Sequence, residues 1–158
     1  MRTIVLVAAL SLTALVTEAS GESPFATPQE TQSGQPDVAN LISLGDIMGD
    51  TQLRHIKLWY AGKSEDWDLA SYELNRISES LRRAGMLYVN IPVELIEAVG
   101  KPLARMREAL SSKNGQEFMR SYTDLTGACN ACHQVGGVGF IQIQTPTSSP
   151  FTDEVFGK

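Results

Sequence analysis

The chain holds only two cysteines, Cys129 and Cys132, and one of its two histidines, His133, follows directly. The run Cys129-Asn130-Ala131-Cys132-His133 has the spacing C-x-x-C-H. This pattern reads as attachment of a c-type haem: two thiols become thioethers to the porphyrin's vinyl groups, and the neighbouring imidazole is placed to bind iron. Other chemistries suit it less well. A disulfide across a two-residue gap closes a tiny loop and stabilises little. A catalytic C-x-x-C pair belongs beside a βαβ pattern, which this sequence lacks. A structural zinc site wants four ligands, and three cluster here.

These residues need a scaffold, and from Asp37 the sequence has helical periodicity for about a hundred residues. A first helix is expected over Asp37–Tyr60, with Leu41, Leu44, Met48, Ile56 and Trp59 as its apolar stripe and Gly62 as its stop. A second starts after Ser64 or Asp66 and carries Trp67, Ala70, Leu74, Ile77, Leu81 and Ala84. A third begins near Pro92 with the stripe Ile96, Val99, Leu103, Met106 and Leu110, and Pro102 should kink it. A fourth opens at Asn114, with Glu117 in capping-box position. Its stripe of Phe118, Tyr122, Leu125, Cys129 and Cys132 carries both cysteines into the interior. Short connections make this an all-α chain, an antiparallel four-helix bundle over 37–135. Gly136, Gly137 and Gly139 end the last helix. Residues 136–158, with Phe140, Ile141, Ile143, Phe151 and Phe156, form a non-helical tail too apolar to hang free, so it should pack on the bundle and cover the haem edge. Trp59 and Trp67 are expected to pack on each other at the first turn.

His133 supplies one axial bond, and the other decides function. No Met or His follows His133, which leaves Met48, Met86, Met106, Met119 and His55. Met119 is fourteen residues from His133, roughly 21 Å along a straight helix, and Met106 belongs to the same far end. Met48 and Met86 lie at the motif's end of the bundle. Met48 is the expected distal ligand, with His55 and Met86 as alternatives and an open site as a further one. A Met at that place also serves as a plain gap-filler. His55, beside the polar Gln52 and Arg54, reads more simply as a partly exposed surface residue. Arg54 or Lys57 are candidates to pair with a propionate, while Tyr72 and Glu73 fit a solvated face.

A helical chain with this motif near its C-terminal end resembles the class II cytochromes c, the family of the cytochromes c′ and their low-spin, methionine-ligated relatives. The resemblance covers about Asp37 to Val135 and implies a periplasmic monohaem protein with a four-helix fold. It also implies a distal group on the first helix. The chain departs from the family in its 25 residues after His133, which open with glycines.

The rest of the sequence frames this expectation. The composition is 42% hydrophobic and 20% charged, enough apolar matter for one core. A net charge of −5 offers no basic surface for nucleic acid. Arg2, the apolar run Ile4 to Leu15 and the small residues Thr17 and Ala19 read as a signal peptide over 1–19, too short for a comfortable membrane span. Residues 20–36, rich in Gly, Ser, Pro, Thr and Gln, read as a flexible leader. The expected function is electron transfer in the periplasm through one covalent haem c, with redox proteins as partners, no membrane association required and a homodimer as a further arrangement. The chain is not expected to be an enzyme. The alternative is a gas-binding haem protein, with nitric oxide as ligand by resemblance to the cytochromes c′. A subunit whose haem merely stabilises the bundle is a third reading.

Overall fold

A computed structural model describes residues 42–157. The expected signal peptide over 1–19, the expected leader over 20–36 and the helical start expected from Asp37 to Leu41 lie outside them. Four helices follow in order: α1 (Leu44–Lys63), α2 (Trp67–Leu87), α3 (Val93–Ser111) and α4 (Gly115–Val135). Each packs antiparallel on its neighbour in the chain, and no strand occurs among the described residues.

Local chemistry fixes the boundaries. Ser43 is extended at φ −71°, ψ 155°, and forms a full capping box with Asp46. The helix therefore begins at Leu44. At the other end, Gly62 does not stop α1. The helix runs to Lys63, and Gly62 is buried inside it because a Cβ there would fall 2.1 Å from the Phe118 ring. Asp66 caps α2 as expected, accepting from the Leu69 N–H at 3.2 Å. Asn114 caps α4 by accepting from the Glu117 N–H at 3.0 Å, while the Glu117 carboxylate turns to Arg120. α3 continues unbroken through the buried Pro102.

The turns α1–α2 and α3–α4 use one device. Glu65 and Lys113 take the left-handed conformation (φ 59° and 53°) just past the helix caps. In each, the next N–H reaches back five residues, Asp66 to the Ala61 carbonyl at 2.9 Å and Asn114 to the Ala109 carbonyl at 3.0 Å. Both turns lie at the end of the bundle away from Cys132.

The stripes expected on α2, α3 and α4 face the interior, with Leu74, Ile77, Met106, Phe118, Tyr122 and Leu125 fully buried. On α1 the buried face is rotated from the expected one. Ile47, Thr51, His55, Leu58 and Gly62 point inward; of the expected stripe Trp59 is buried with them, and Leu44, Met48 and Ile56 are only half-buried. Two polar residues can occupy that face because each is hydrogen-bonded: the Thr51 hydroxyl donates to the Ile47 carbonyl at 2.7 Å, and the His55 ring nitrogens find partners on α4. Trp59 and Trp67 do not form a ring pair with each other. Both meet Phe118 instead, Trp59 stacked on it at a centroid separation of 6.2 Å and Trp67 edge-on at 6.4 Å.

The tail packs on the bundle, as its apolar content requires. It leaves α4 through Gly137 (φ 74°) and runs back along α1 to the far end, where Phe156 meets Tyr60 at 5.6 Å. On the way Lys57 pairs with Glu154 at 2.5 Å and sits 4.7 Å over the Phe151 ring. Of the tail residues expected to pack, Phe140 is 83% exposed and Ile141 45% exposed, while Ile143, Phe151 and Phe156 are partly buried. No helix among the described residues is long and apolar enough to cross a membrane.

Candidate functional site

Cys129, Cys132 and His133 occupy positions i, i+3 and i+4 of α4, so one turn of one helix face carries both sulfurs and the imidazole. They line a cavity of about 350 Å³ between α1 and α4 at the end of the bundle where α4 finishes. Ile77, Val99 and Leu125 contribute apolar wall from three helices, Met48 and His55 contribute from α1, and Ile141 and Ile143 close a side from the tail. α1 and α4 meet far less extensively than helices adjacent in the chain do, and the cavity and the tail lie alongside both.

Burial governs the thiols. It pushes Cys129 up to about 11, with Cys132 adding to the rise, and it pushes Cys132 up as well. Both stay protonated near neutral pH, and both are free cysteines.

The imidazole of His133 is oriented by the tail. Its Nδ1 lies 2.8 Å from the Ile141 carbonyl. A carbonyl only accepts, so Nδ1 carries the proton and Nε2 keeps its lone pair. That is the tautomer a metal-binding histidine needs. One residue away from Cys129, Asn130 holds the tail itself: its Nδ2 donates to the Ile143 carbonyl at 2.8 Å, and its Oδ1 accepts from the Ile143 N–H at 2.7 Å.

The other candidates separate clearly. Met48 is half-buried and lines the cavity. Met86 is 69% exposed, with its sulfur 3.7 Å from the Arg82 guanidinium, and is not among the lining residues. Met106 is fully buried beside Leu110 and Phe118 in the far core, and Met119 is exposed. His55 is not a surface histidine. It is 4% exposed, and both ring nitrogens have partners. Thr126 commits its hydroxyl hydrogen to the Tyr122 carbonyl at 2.8 Å, so Thr126 Oγ1 accepts from His55 Nε2–H at 3.0 Å. The Tyr122 hydroxyl lies 2.8 Å from His55 Nδ1 and 3.0 Å from the His55 carbonyl, so its one hydrogen is shared between these two acceptors. Burial pushes the His55 pKa down to about 4 and raises that of Tyr122, so both are neutral near pH 7. Binding iron through His55 requires breaking one of these two buried bonds. Met48 requires none.

The candidate propionate partners are engaged elsewhere. Arg54 lies 3.3 Å from both Asp50 and Glu73, and Lys57 holds Glu154. Glu73 does not join a solvated face: it is 1% exposed, and its pKa is raised because burial outweighs the pull of Arg54. Tyr72 is exposed as expected. A second hollow of about 370 Å³ opens between α1 and the tail, with the amides of Gln52, Gln142 and Gln144 in its wall.

The donor set fits a haem better than a bare ion. Among the described residues no three His, Cys, Asp or Glu converge as a metal site, so Cys129, Cys132 and His133 do not form a closed coordination shell. They instead border a broad apolar cavity with a thioether on its α1 side, which is what a planar ring anchored at its rim and ligated at its centre calls for. Sequence reasoning missed the Asn130 clamp and the Ile141 carbonyl, since backbone partners leave no residue-type signature. It also missed the His55–Tyr122 pairing across 67 positions. Comparison with protein-family models, with curated proteins and with solved structures returned no match.

Proposed function

We propose that this chain is a c-type monohaem cytochrome that transfers electrons, related to the class II cytochromes c. One haem c is held through thioethers at Cys129 and Cys132, with His133 as proximal and Met48 as distal iron ligand. The observation that carries this reading is the shared cavity: two thiols, an imidazole with Nε2 available and a methionine line one apolar space. The haem supplies a one-electron ferric–ferrous couple. The chain's part is to fix its position, exclude water with Ile77, Val99 and Leu125, and bias the potential upward through a thioether ligand and a low-dielectric wall. In this reading the chain is a carrier and not an enzyme, since electron exchange at the haem makes and breaks no substrate bond. The pattern of residues 1–19 supports export to the periplasm, and redox proteins are the partners.

The test is expression in a host that matures c-type haems, followed by optical spectra of the parent and of Met48→Ala. A covalent haem, low-spin when ferrous and unmoved by carbon monoxide, is expected in the parent. The Met48→Ala protein is expected to turn high-spin and bind carbon monoxide. A parent that is already high-spin and takes up carbon monoxide would transfer the assignment to the gas-binding reading. A colourless parent would end both.

A further inference from the structure

The tail's contacts at the motif are more specific than a cover requires. Apolar packing alone would be met by Ile141 and Ile143 against the cavity. Three hydrogen bonds are added, all between the tail's backbone and two residues of the motif: His133 Nδ1 donates to the Ile141 carbonyl, Asn130 Nδ2 donates to the Ile143 carbonyl, and Asn130 Oδ1 accepts from the Ile143 N–H. The Asn130 carboxamide pairs with the N–H and C=O of one residue, as a neighbouring strand would, and so fixes that stretch of backbone in two directions. Ile141 lies two residues before that clamp. Its own N–H is tied to the Val138 carbonyl at 2.8 Å, which secures the other side. The acceptor facing His133 is thus pinned before and after.

We propose that the tail is a positioning element for the proximal ligand: Asn130, through its clamp on Ile143, holds the Ile141 carbonyl where it orients and polarises the His133 imidazole. This rests on the haem reading above and adds a tuning group to it. Asn130 and Ile141 are positioning residues, since neither needs to touch the ring. A carbonyl drawing on Nδ1–H increases the electron density at Nε2, which favours ferric over ferrous iron and lowers the potential. The tail therefore opposes the upward bias from Met48 and the apolar wall. A carbonyl whose backbone is fixed at Ile143 on one side and by the Ile141 N–H on the other would also limit rotation of the imidazole.

The experiment uses the full haem-loaded chain and two readouts, the reduction potential and the solvent exchange of the His133 Nδ1 proton followed by NMR. Asn130→Ala is expected to raise the potential and to speed Nδ1 proton exchange by roughly tenfold, as loss of a well-held hydrogen bond implies. Ile143→Pro, which removes the N–H that Asn130 accepts and leaves the motif untouched, is expected to move both readouts in the same direction. It also serves as the second variant should Asn130→Ala not take up haem. A purely structural tail would lower the melting temperature in both variants without moving the potential or the exchange rate at 25 °C. That result, with haem still attached, overturns the proposal and leaves the cytochrome reading standing. A parent without covalent haem overturns the cytochrome reading, and this proposal with it.

Discussion

The two ends of the bundle are built differently from similar material. At the far end, Trp59, Trp67, Phe118 and Tyr122 interlock, Phe118 presses on a helix that has glycine at the contact, and two turns close with the same five-residue backbone bond. At the motif end, a longer connection over 88–92 joins α2 to α3, and an apolar cavity of about 350 Å³ lies between the helices. The His55–Tyr122–Thr126 network sits at the boundary. A bundle that closes one end this tightly has the means to close the other. The lesson is a division of labour: interlocked aromatic side chains hold the helices together at one end, and the other end keeps an apolar cavity where the proposed haem would sit.

The largest test of that contrast is at Phe118. Phe118→Ala should cost about 3–5 kcal/mol in urea unfolding and leave the haem spectrum as in the parent. Gly62→Ala alone should also destabilise, because its Cβ would fall 2.1 Å from the ring. In the Phe118→Ala background the same change should stabilise by roughly 0.5–1 kcal/mol, the helical preference for Ala over Gly. Equal costs in both backgrounds would remove the contact from the account.

Acid comes next. The unfolded chain protonates His55 near 6.5, whereas the folded chain resists until about 4. Between those values the unfolded state binds more protons, so stability rises with pH. The His55 contribution is fully present above pH 6.5 and is lost as pH falls toward 4, by about 3 kcal/mol in all. Urea midpoints measured across this range should fall with acid in the parent. In His55→Gln they should start lower and change less. A parent profile as flat as the variant's would contradict a neutral buried His55.

Met48→Ala tests the motif end. The side chain is half-buried, so truncation should cost only about 1–2 kcal/mol, below the usual range for a buried methionine. The spectral change should be far larger than the stability change, the reverse of Phe118→Ala. If the two variants behaved alike in both measurements, the division between the ends would be lost.

The smallest effect is expected at the tail's outer anchor. Lys57→Ala removes a partly exposed ion pair with Glu154 and the contact over Phe151. It should cost no more than about 1 kcal/mol but should speed proteolytic cleavage of residues 144–157. The potential should stay at the parent value, since the clamp at Asn130 is separate.

Much of the fold was readable because its helices obey simple rules. Ala70, Leu74, Ile77 and Ala84 recur at helical spacing on α2 and are all buried. Asp66 and Asn114 are capping residues and do cap. The reading of α1 went astray where periodicity counts only apolar residues. Thr51 and His55 lie on the buried face through hydrogen bonds that a hydropathy pattern does not register, and the stripe was therefore drawn one residue off. Gly62 looked like a helix stop for a similar reason: glycine is read as a break, and nothing in sequence tells that Phe118, 56 positions later, needs its missing Cβ.

By itself, the sequence determined the four helices, their order and the spacing of two thiols and an imidazole within one turn of the last of them, because helix geometry is local and repeats every 3.6 residues. The tertiary structure alone decided which α1 side chains reach that turn. It set Met48 at the cavity wall, turned Met86 into solvent and tied His55 to Tyr122 and Thr126. It also brought the Ile141 carbonyl to His133, a contact between an imidazole and a backbone atom that depends on the path of the tail and on no residue type at all.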